Sequence, residues 1–263
     1  MQYVFGSGVL YATPLTDFNG AAITNPTPVK LAASQDISVD LSFDTKQLYG
    51  QNQFPLAVGR GKGKVSIKAK FAQVNGRTLN SIFLGQTLAA GQVQIYTDIT
   101  SGTAIPTTPF TITPTVPSSG VWAADLGVTV AALGTNTALS VGSILTRVAS
   151  APTTGQYSVA AGVYTFSTAD NAAGMKVNIN YQYTVAATGQ KSTVVNALLG
   201  SIPTFQTDIV VPYNGQQVTF SFPNCAAGKF SIATKLDDFA IPSLDIDAFA
   251  NAAGTVFSYS LAE

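Results

Sequence analysis

The sequence has no histidine and a single cysteine, Cys225, among its 263 residues. Without histidine, the Ser-His-Asp and Cys-His nucleophile arrangements, the histidine general base and the imidazole metal ligand are all excluded. One cysteine forms no intramolecular disulfide, and zinc sites built from several Cys or His are excluded too. We therefore expect no enzyme activity, no metal centre and no cofactor, and we expect Cys225 to be a small buried residue.

Charge is also scarce, because Asp, Glu, Lys and Arg make up 10% of the chain against about 25% in an average soluble domain. The 13 basic residues balance the 13 acidic ones, so no net field draws the chain to nucleic acid or to a membrane. Residues 1–10 lack the pattern of a signal peptide. We expect a reducing, aqueous environment and no membrane partner. A surface covered by other copies of the chain would also be poor in charge.

The residue types that are frequent in this sequence predict its fold class. Only Glu263 is a glutamate, while aspartate, which favours turns and caps over helix interiors, supplies the other 12 acids. Thr, Ser, Val, Gly and Pro are frequent, which is typical of strands joined by turns. The sequence predicts a mainly β fold that begins with an extended N-terminal arm over residues 1–30.

The clearest strand signal is a pair of alternating segments near the N-terminus. Apolar residues occupy every second position in 37–43 and again in 65–71, which predicts two half-buried strands. Their polar positions carry carboxylates in one segment and amines in the other. An antiparallel hairpin would place Asp40 opposite Lys68 and Asp44 opposite Lys64.

Between these strands, residues 46–63 are predicted to form a long connection with a basic tip that contains Arg60, Lys62 and Lys64. Connections of this length usually have a function. Glycines between cations can bind phosphate through the backbone, but the segment lacks a P-loop ending and no aromatic residue interrupts it. The other interpretation, which we favour, is a solvated loop or one that contacts a partner.

Two short helices are predicted beside the sheet. The first follows Asn75, because Leu79 starts an apolar face with helical spacing and Gly85 can end the helix. The second would begin at Ser192 and end at Gly200. Strands are expected on both sides of the turn at 213–215, which contains an Asn-Gly pair.

Between residues 91 and 189 the composition changes to Thr, Gly, Pro, Ser and Ala, with almost no charge. Short strand-like runs separated by turn residues predict an inserted β-rich subdomain of sandwich or barrel type, while 1–90 and 190–263 form the remaining β core. Trp122 and the tyrosines of this region form either a sugar-binding platform or, as we favour, a core.

An acidic group lies near the C-terminus, comprising Asp237, Asp238, Asp245 and Asp247. Calcium loops need several converging oxygen ligands and usually a distal glutamate. The sequence around Asp245 and Asp247 does not continue in that pattern. A structural or interface role is favoured for all four.

Several of these segments resemble the virion structural proteins of tailed bacteriophages, most closely their tail tube (major tail) proteins. The similar segments are Asp36 to Lys46, Leu48-Tyr-Gly50, Phe54-Pro55, Gly63 to Lys70, Phe83-Leu-Gly85 and Lys235-Leu-Asp-Asp-Phe239. The middle of the chain is similar to phage structural proteins in general. It is longer than a minimal tube subunit needs.

The resemblance implies a β sandwich with a flanking helix, six copies of which form a ring. Inner strands of the copies close into a barrel, and stacked rings form a conduit for DNA. The implied partners are other copies, other tail proteins, and DNA that passes through the lumen without specific binding. The implied location is the virion tail, which is assembled in the cytoplasm of the bacterial host.

On this interpretation each group of site residues has an expected place. Arg60, Lys62 and Lys64 would contact an adjacent subunit or ring. Asp40, Asp44, Lys68 and Lys70 are candidates to face the lumen.

Two other functions remain open at this stage. One is a different virion component, such as a head decoration or minor capsid protein. The other is a glycan- or receptor-binding β module, for which Trp122 and Tyr164 would be the binding residues.

Overall fold

The computed structural model describes residues 6–31, 34–73 and 75–261. Strands account for 52% and helices for 7% of it, so the chain is mainly β, with several antiparallel sheets and a few short helices, consistent with a β sandwich. The predicted fold class is thereby confirmed. Within the described residues, no helix has the length and hydrophobicity to cross a lipid bilayer. The chain divides into two compact units, Met1–Leu88 with Ser192–Glu263, and Ala89–Lys191.

The strands of the described residues begin with β1 (Val9–Pro14), β2 (Val29–Lys30), β3 (Ser34–Tyr49) and β4 (Pro55–Phe71). The middle of the chain contains β5 (Ala89–Tyr96), β6 (Thr103–Ala104), β7 (Thr111–Ile112), β8 (Val121–Ala132), β9 (Thr146–Arg147), β10 (Gln156–Ala160), β11 (Val163–Phe166) and β12 (Lys176–Lys191). The last strands are β13 (Thr204–Tyr213), β14 (Gln216–Ser231), β15 (Ser243–Ala248) and β16 (Ser258–Leu261). The helical segments are α1 (Gly76–Leu79), a π turn (Asn80–Leu84), a 3-10 turn (Pro117–Ser119) and α2 (Thr168–Ala172).

The first unit is built on one sheet with the strand order β2-β1-β13-β14-β15-β4-β3, and β16 pairs with β14. One face of this sheet packs on a core that includes Leu10, Ile67, Phe205, Phe222 and Ile246. Part of the predicted N-terminal arm belongs to this core, because β1 pairs with β13 and buries Leu10 completely. Within the predicted arm, Val9–Pro14 is an integral strand of the sheet, whereas residues 15–28 are turns and irregular segments.

The predicted β3–β4 hairpin is present, but two of its predicted details are wrong. Residues 46–63 are not a loop, since both strands continue to a turn at residues 50–54. The register also differs, because Asp40 lies opposite Ser66, and Lys68 and Lys64 lie opposite Ser38 and Ser42. A shift of two residues keeps every side chain on the same face. The apolar alternation therefore predicted the faces correctly and left the pairing undetermined.

The helix predicted after Asn75 is confirmed. The Asn75 side chain accepts a hydrogen bond of 2.9 Å from the backbone N–H of Arg77, as an N-cap does. Gly85 ends the π turn with a φ of 60°, a left-handed conformation that glycine adopts without strain. A Cβ at this position would lie 2.7 Å from the backbone nitrogen of Phe18, so the close approach also requires glycine.

The helix predicted from Ser192 to Gly200 is wrong, because these residues are irregular. Val194, Val195, Leu198 and Leu199 are all exposed. An isolated helix of this length is unstable in water without an apolar surface to pack against. The capping pattern is present, but the packing partner is not found within the described residues.

The second unit contains two smaller sheets. One has the order β7-β11-β10-β9, and in the other β12 pairs with β5, β6 and β8. Their shared core is rich in aromatic residues and includes Tyr157, Tyr164, Phe166, Tyr181 and Tyr183. The tyrosines of the middle region therefore form a core, which was the favoured interpretation of the sequence.

Candidate assembly surface

The half of the β3–β4 hairpin farthest from the core, residues 42–64, is the most unusual surface of the first unit. We call it the distal hairpin. Nearer the core, β4 alternates between buried and exposed residues from Val65 to Phe71. In the distal hairpin this alternation ends, and apart from half-buried Pro55 every residue is exposed. The backbone remains paired strand to strand, so the segment is ordered β structure without a cover on either face.

Large apolar side chains are concentrated in this uncovered segment. Leu48, Tyr49, Leu56 and Val58 are exposed, and Phe54, at the turn, is 80% exposed. Single exposed apolar residues are normal on protein surfaces, whereas a contiguous group of them marks an interaction site. The distal hairpin therefore has the composition of an interface.

The same segment carries an excess of positive charge. Lys46, Arg60 and Lys62 form no ion pair with the described residues, while Lys64 lies 3.3 Å from Asp247. The Arg60 guanidinium lies over the ring of Phe43, 4.8 Å from its centroid, which is a cation–π arrangement. Arg60, Lys62 and Lys64 thus lie on strand β4 and not at a loop tip as predicted, although the sequence correctly indicated that they are exposed.

The outer edge of β3 is a second open feature. Within the described residues this 16-residue strand pairs only with β4. Proteins usually protect such edges, because an unpaired strand edge is a template for pairing with another chain. At the opposite side of the sheet, β2 is only two residues long and leaves most of β1 uncovered.

The residues predicted to face a lumen share one face of the sheet. Because side chains alternate along a strand, Asp40, Asp44, Lys68 and Lys70 lie on the face opposite the core. Lys70 forms an ion pair of 3.2 Å with Asp36.

Charges of both signs alternate across this polar face. Lys68 lies between Ser38 of β3 and Asp245 of β15, and Asp245 lies in turn opposite Lys229 of β14. The ion pairs that form are exposed and contribute at most about 1 kcal/mol each. The face is therefore strongly hydrated and close to neutral.

The acidic group near the C-terminus is split by the fold. Asp245 and Asp247 lie on β15, whereas Asp237 and Asp238 lie in the loop before it. No three acidic, cysteine or histidine side chains converge as a metal site would require anywhere in 6–31, 34–73 or 75–261.

Sequence reasoning missed an apolar groove where the hairpin leaves the core. It has a volume of about 410 Å³ and is lined by residues that include Leu41, Phe43, Val65, Phe249 and Phe257. Phe249 and Phe257 flank a turn after β15, and only their aromatic character signalled a role. The groove extends the apolar surface of the distal hairpin toward the core.

The second unit contains a polar network around a buried carboxylate, which we call the tyrosine cluster (Trp122, Asp125, Arg147, Tyr157 and Tyr164); Arg147 is its exposed member. The Asp125 carboxylate accepts hydrogen bonds from Tyr157 Oη at 2.7 Å and Tyr164 Oη at 3.1 Å. Trp122 Nε1 donates to Tyr164 Oη at 3.3 Å, and Arg147 lies 3.9 Å from the carboxylate. Burial, followed by the hydrogen bond to Asp125, raises the pKa of Tyr157, and burial is also the main cause that raises the pKa of Tyr164.

This cluster offers little to a ligand. Tyr164 is completely buried, and Trp122 is half-buried beside Gly162. Sugar platforms need exposed aromatic faces, so the two residues named for glycan binding are part of the packing instead. The network stabilises the unit because its buried polar groups bond to one another.

Comparisons with known proteins do not assign the chain to a family. No family model matches it, and no curated protein matches it in sequence. A functional assignment therefore depends on the surfaces described above together with the short motifs in the sequence.

Proposed function

We propose that this chain is a structural subunit of a phage tail tube, which assembles into stacked rings around a channel for DNA. One observation carries the proposal: the distal hairpin is ordered, yet it leaves apolar and basic side chains uncovered on both faces. Such a surface is unfavourable on a monomer and is favourable when another copy covers it. Four of the segments that resemble tail tube proteins lie in β3, β4 and the turn between them, while Phe83-Leu-Gly85 and Lys235 to Phe239 lie elsewhere in the first unit.

The open sheet edges support a ring. Pairing of the β3 edge of one copy with the β1 edge of the next would be a heterologous contact, and such contacts close into rings when the rotation allows. Pairing would also remove the exposed edges. The sheet would then continue from subunit to subunit as the wall of a barrel.

The polar face is suitable for the lumen of such a barrel. A surface rich in Lys and Arg would bind DNA phosphates strongly and in a salt-dependent way. On the polar face, the carboxylates of Asp36, Asp40, Asp44, Asp245 and Asp247 lie among the amines of Lys64, Lys68, Lys70 and Lys229, so the two signs nearly balance. DNA would therefore pass a hydrated, nearly neutral wall without being retained.

Negative-stain electron microscopy of the purified chain over a concentration series tests the proposal. We expect rings and tubes with a central channel at high concentration. Monomers or trimers alone at every concentration would contradict it and would favour a head decoration or minor capsid protein, which binds a preformed shell. Binding on a glycan array that survives Trp122→Ala would favour a receptor-binding module with a site elsewhere.

A further inference from the structure

The distal hairpin and the loop between β14 and β15 lie at opposite ends of the sheet in the first unit. Strand β4 begins at the hairpin turn and ends at Phe71, whose backbone N–H donates to the carbonyl of Pro242 at 3.0 Å. A strand of 17 residues spans about 55 Å at roughly 3.3 Å per residue. The hairpin turn therefore cannot reach this loop within its own subunit.

The loop, residues 232–242, is a second uncovered surface, and we call it the acidic loop. Leu236 is 97% and Phe239 is 91% exposed. Between them lie Asp237 and Asp238, which are exposed as well. Asp238 is 3.7 Å from Lys235, while Asp237 forms no ion pair with the described residues. The loop thus combines large apolar side chains with a negative charge.

A shallow apolar depression adjoins the acidic loop. Its volume is about 40 Å³, and its lining includes Phe71, Phe83, Phe230 and Pro242. Pro242 is also the last residue of the loop, so the depression lies next to the end of the loop. The acidic loop is complementary to the distal hairpin, which combines large apolar side chains with positive charge.

We propose that the distal hairpin of one copy docks on the acidic loop of the next copy along the tube axis. The inference rests on the proposed function and names the surface that receives the hairpin. Lys46, Arg60 and Lys62 would approach Asp237 and Asp238, while the apolar side chains of both segments leave water together. Because the two surfaces lie at opposite ends of the subunit, the contact is head-to-tail and repeats from ring to ring.

Cysteine cross-linking tests this contact directly. Phe54→Cys is introduced in one protein and Phe239→Cys in another, and the two are mixed and treated with a short bis-maleimide. Cys225 is buried, and burial raises the pKa of its thiol to about 11, so it reacts slowly with the reagent. Ile99→Cys replaces Phe239→Cys in the control, since Ile99 is 90% exposed but belongs to the second unit.

We expect a cross-linked heterodimer from Phe54→Cys with Phe239→Cys, in on the order of tenfold higher yield than from the control pair. Equal yields would overturn the inference. The two proposals fail separately. Tubes without the specific cross-link would refute the acidic loop as the receiver and leave the tube subunit intact, whereas the cross-link without tubes would support the contact and refute the tube.

Charge reversal provides a second test that does not depend on added cysteines. Lys46→Glu with Lys62→Glu places acidic residues opposite the acidic loop, and like charges across an interface are strongly unfavourable. We expect assembly to need on the order of tenfold more protein. Adding Asp237→Lys and Asp238→Lys to the same chain restores opposite charges and should restore assembly. The contact would be contradicted if the quadruple variant assembled no better than the Lys46→Glu, Lys62→Glu double variant. Unchanged assembly of that double variant in DNA-free buffer would contradict it as well.

Discussion

The distal hairpin and the tyrosine cluster differ in how their polar and apolar side chains are placed: exposed in the hairpin, and mostly buried and hydrogen-bonded in the cluster. In the tyrosine cluster, one buried carboxylate receives two tyrosine hydroxyls and a backbone N–H, and every partner comes from the same chain. In the distal hairpin, Lys46 and Lys62 form no ion pair with the described residues, and large apolar side chains beside them are exposed. The comparison separates groups that find their partners within one chain from groups that, as we propose, are covered by a second copy.

The largest expected effect is in the tyrosine cluster. Asp125→Ala leaves the hydroxyls of Tyr157 and Tyr164 buried without their acceptor, so we expect the free energy of unfolding to fall by about 2–4 kcal/mol. Urea unfolding followed by tyrosine fluorescence measures it. A loss below about 0.5 kcal/mol would mean that these hydrogen bonds do not stabilise the chain, and the contrast with the distal hairpin would be lost.

A matched pair of substitutions on β4 sharpens the comparison. Val65 is 6% exposed and Val58 is 60% exposed. Val65→Ala should reduce the free energy of unfolding by about 1.5–3 kcal/mol, whereas Val58→Ala should change it by less than about 0.5 kcal/mol. The effect on assembly should have the opposite order: Val58→Ala should raise the protein concentration needed for assembly more than Val65→Ala does. Equal losses of monomer stability would show that the distal hairpin is already packed in the monomer.

A smaller effect is expected at alkaline pH. Because the pKa values of Tyr157 and Tyr164 are raised in the folded chain, stability is fully present below the ordinary tyrosine pKa of about 10 and falls as the pH rises above it. Thermal unfolding across this range measures the slope. Tyr157→Phe should make the slope shallower. Identical slopes in the variant and in the unsubstituted chain would contradict the cluster's role.

Local signals in the sequence predicted much of the fold. The Asn75 cap, the stop at Gly85 and the Asn-Gly turn between β13 and β14 are confirmed, because each depends on one residue's own conformational preference. The faces of the β3–β4 hairpin were also predicted correctly. These features need no knowledge of distant parts of the chain.

Other features could not be predicted, because distant partners determine them. The glycines and lysines of residues 59–64 have a loop's composition, and only pairing with β3 makes them a strand. The pattern at 192–200 is that of a helix, but the sequence does not show whether a surface exists for it to pack on. The sequence drew attention to the aspartates of the acidic loop. Its position at the other end of the sheet from the hairpin turn depends on the sheet topology.

The most direct test of the central claim is sedimentation velocity on the full chain and on a chain with a shortened hairpin. Since Lys46 pairs with Gly59, residues 46–59 are replaced by an Asn-Gly turn that joins the paired residues Thr45 and Arg60. Circular dichroism and urea unfolding confirm that the shortened chain folds. We expect the full chain to form fast-sedimenting assemblies as concentration rises, and the shortened chain to remain a monomer. Equal sedimentation of the two proteins at every concentration would contradict the claim that the distal hairpin is an assembly surface.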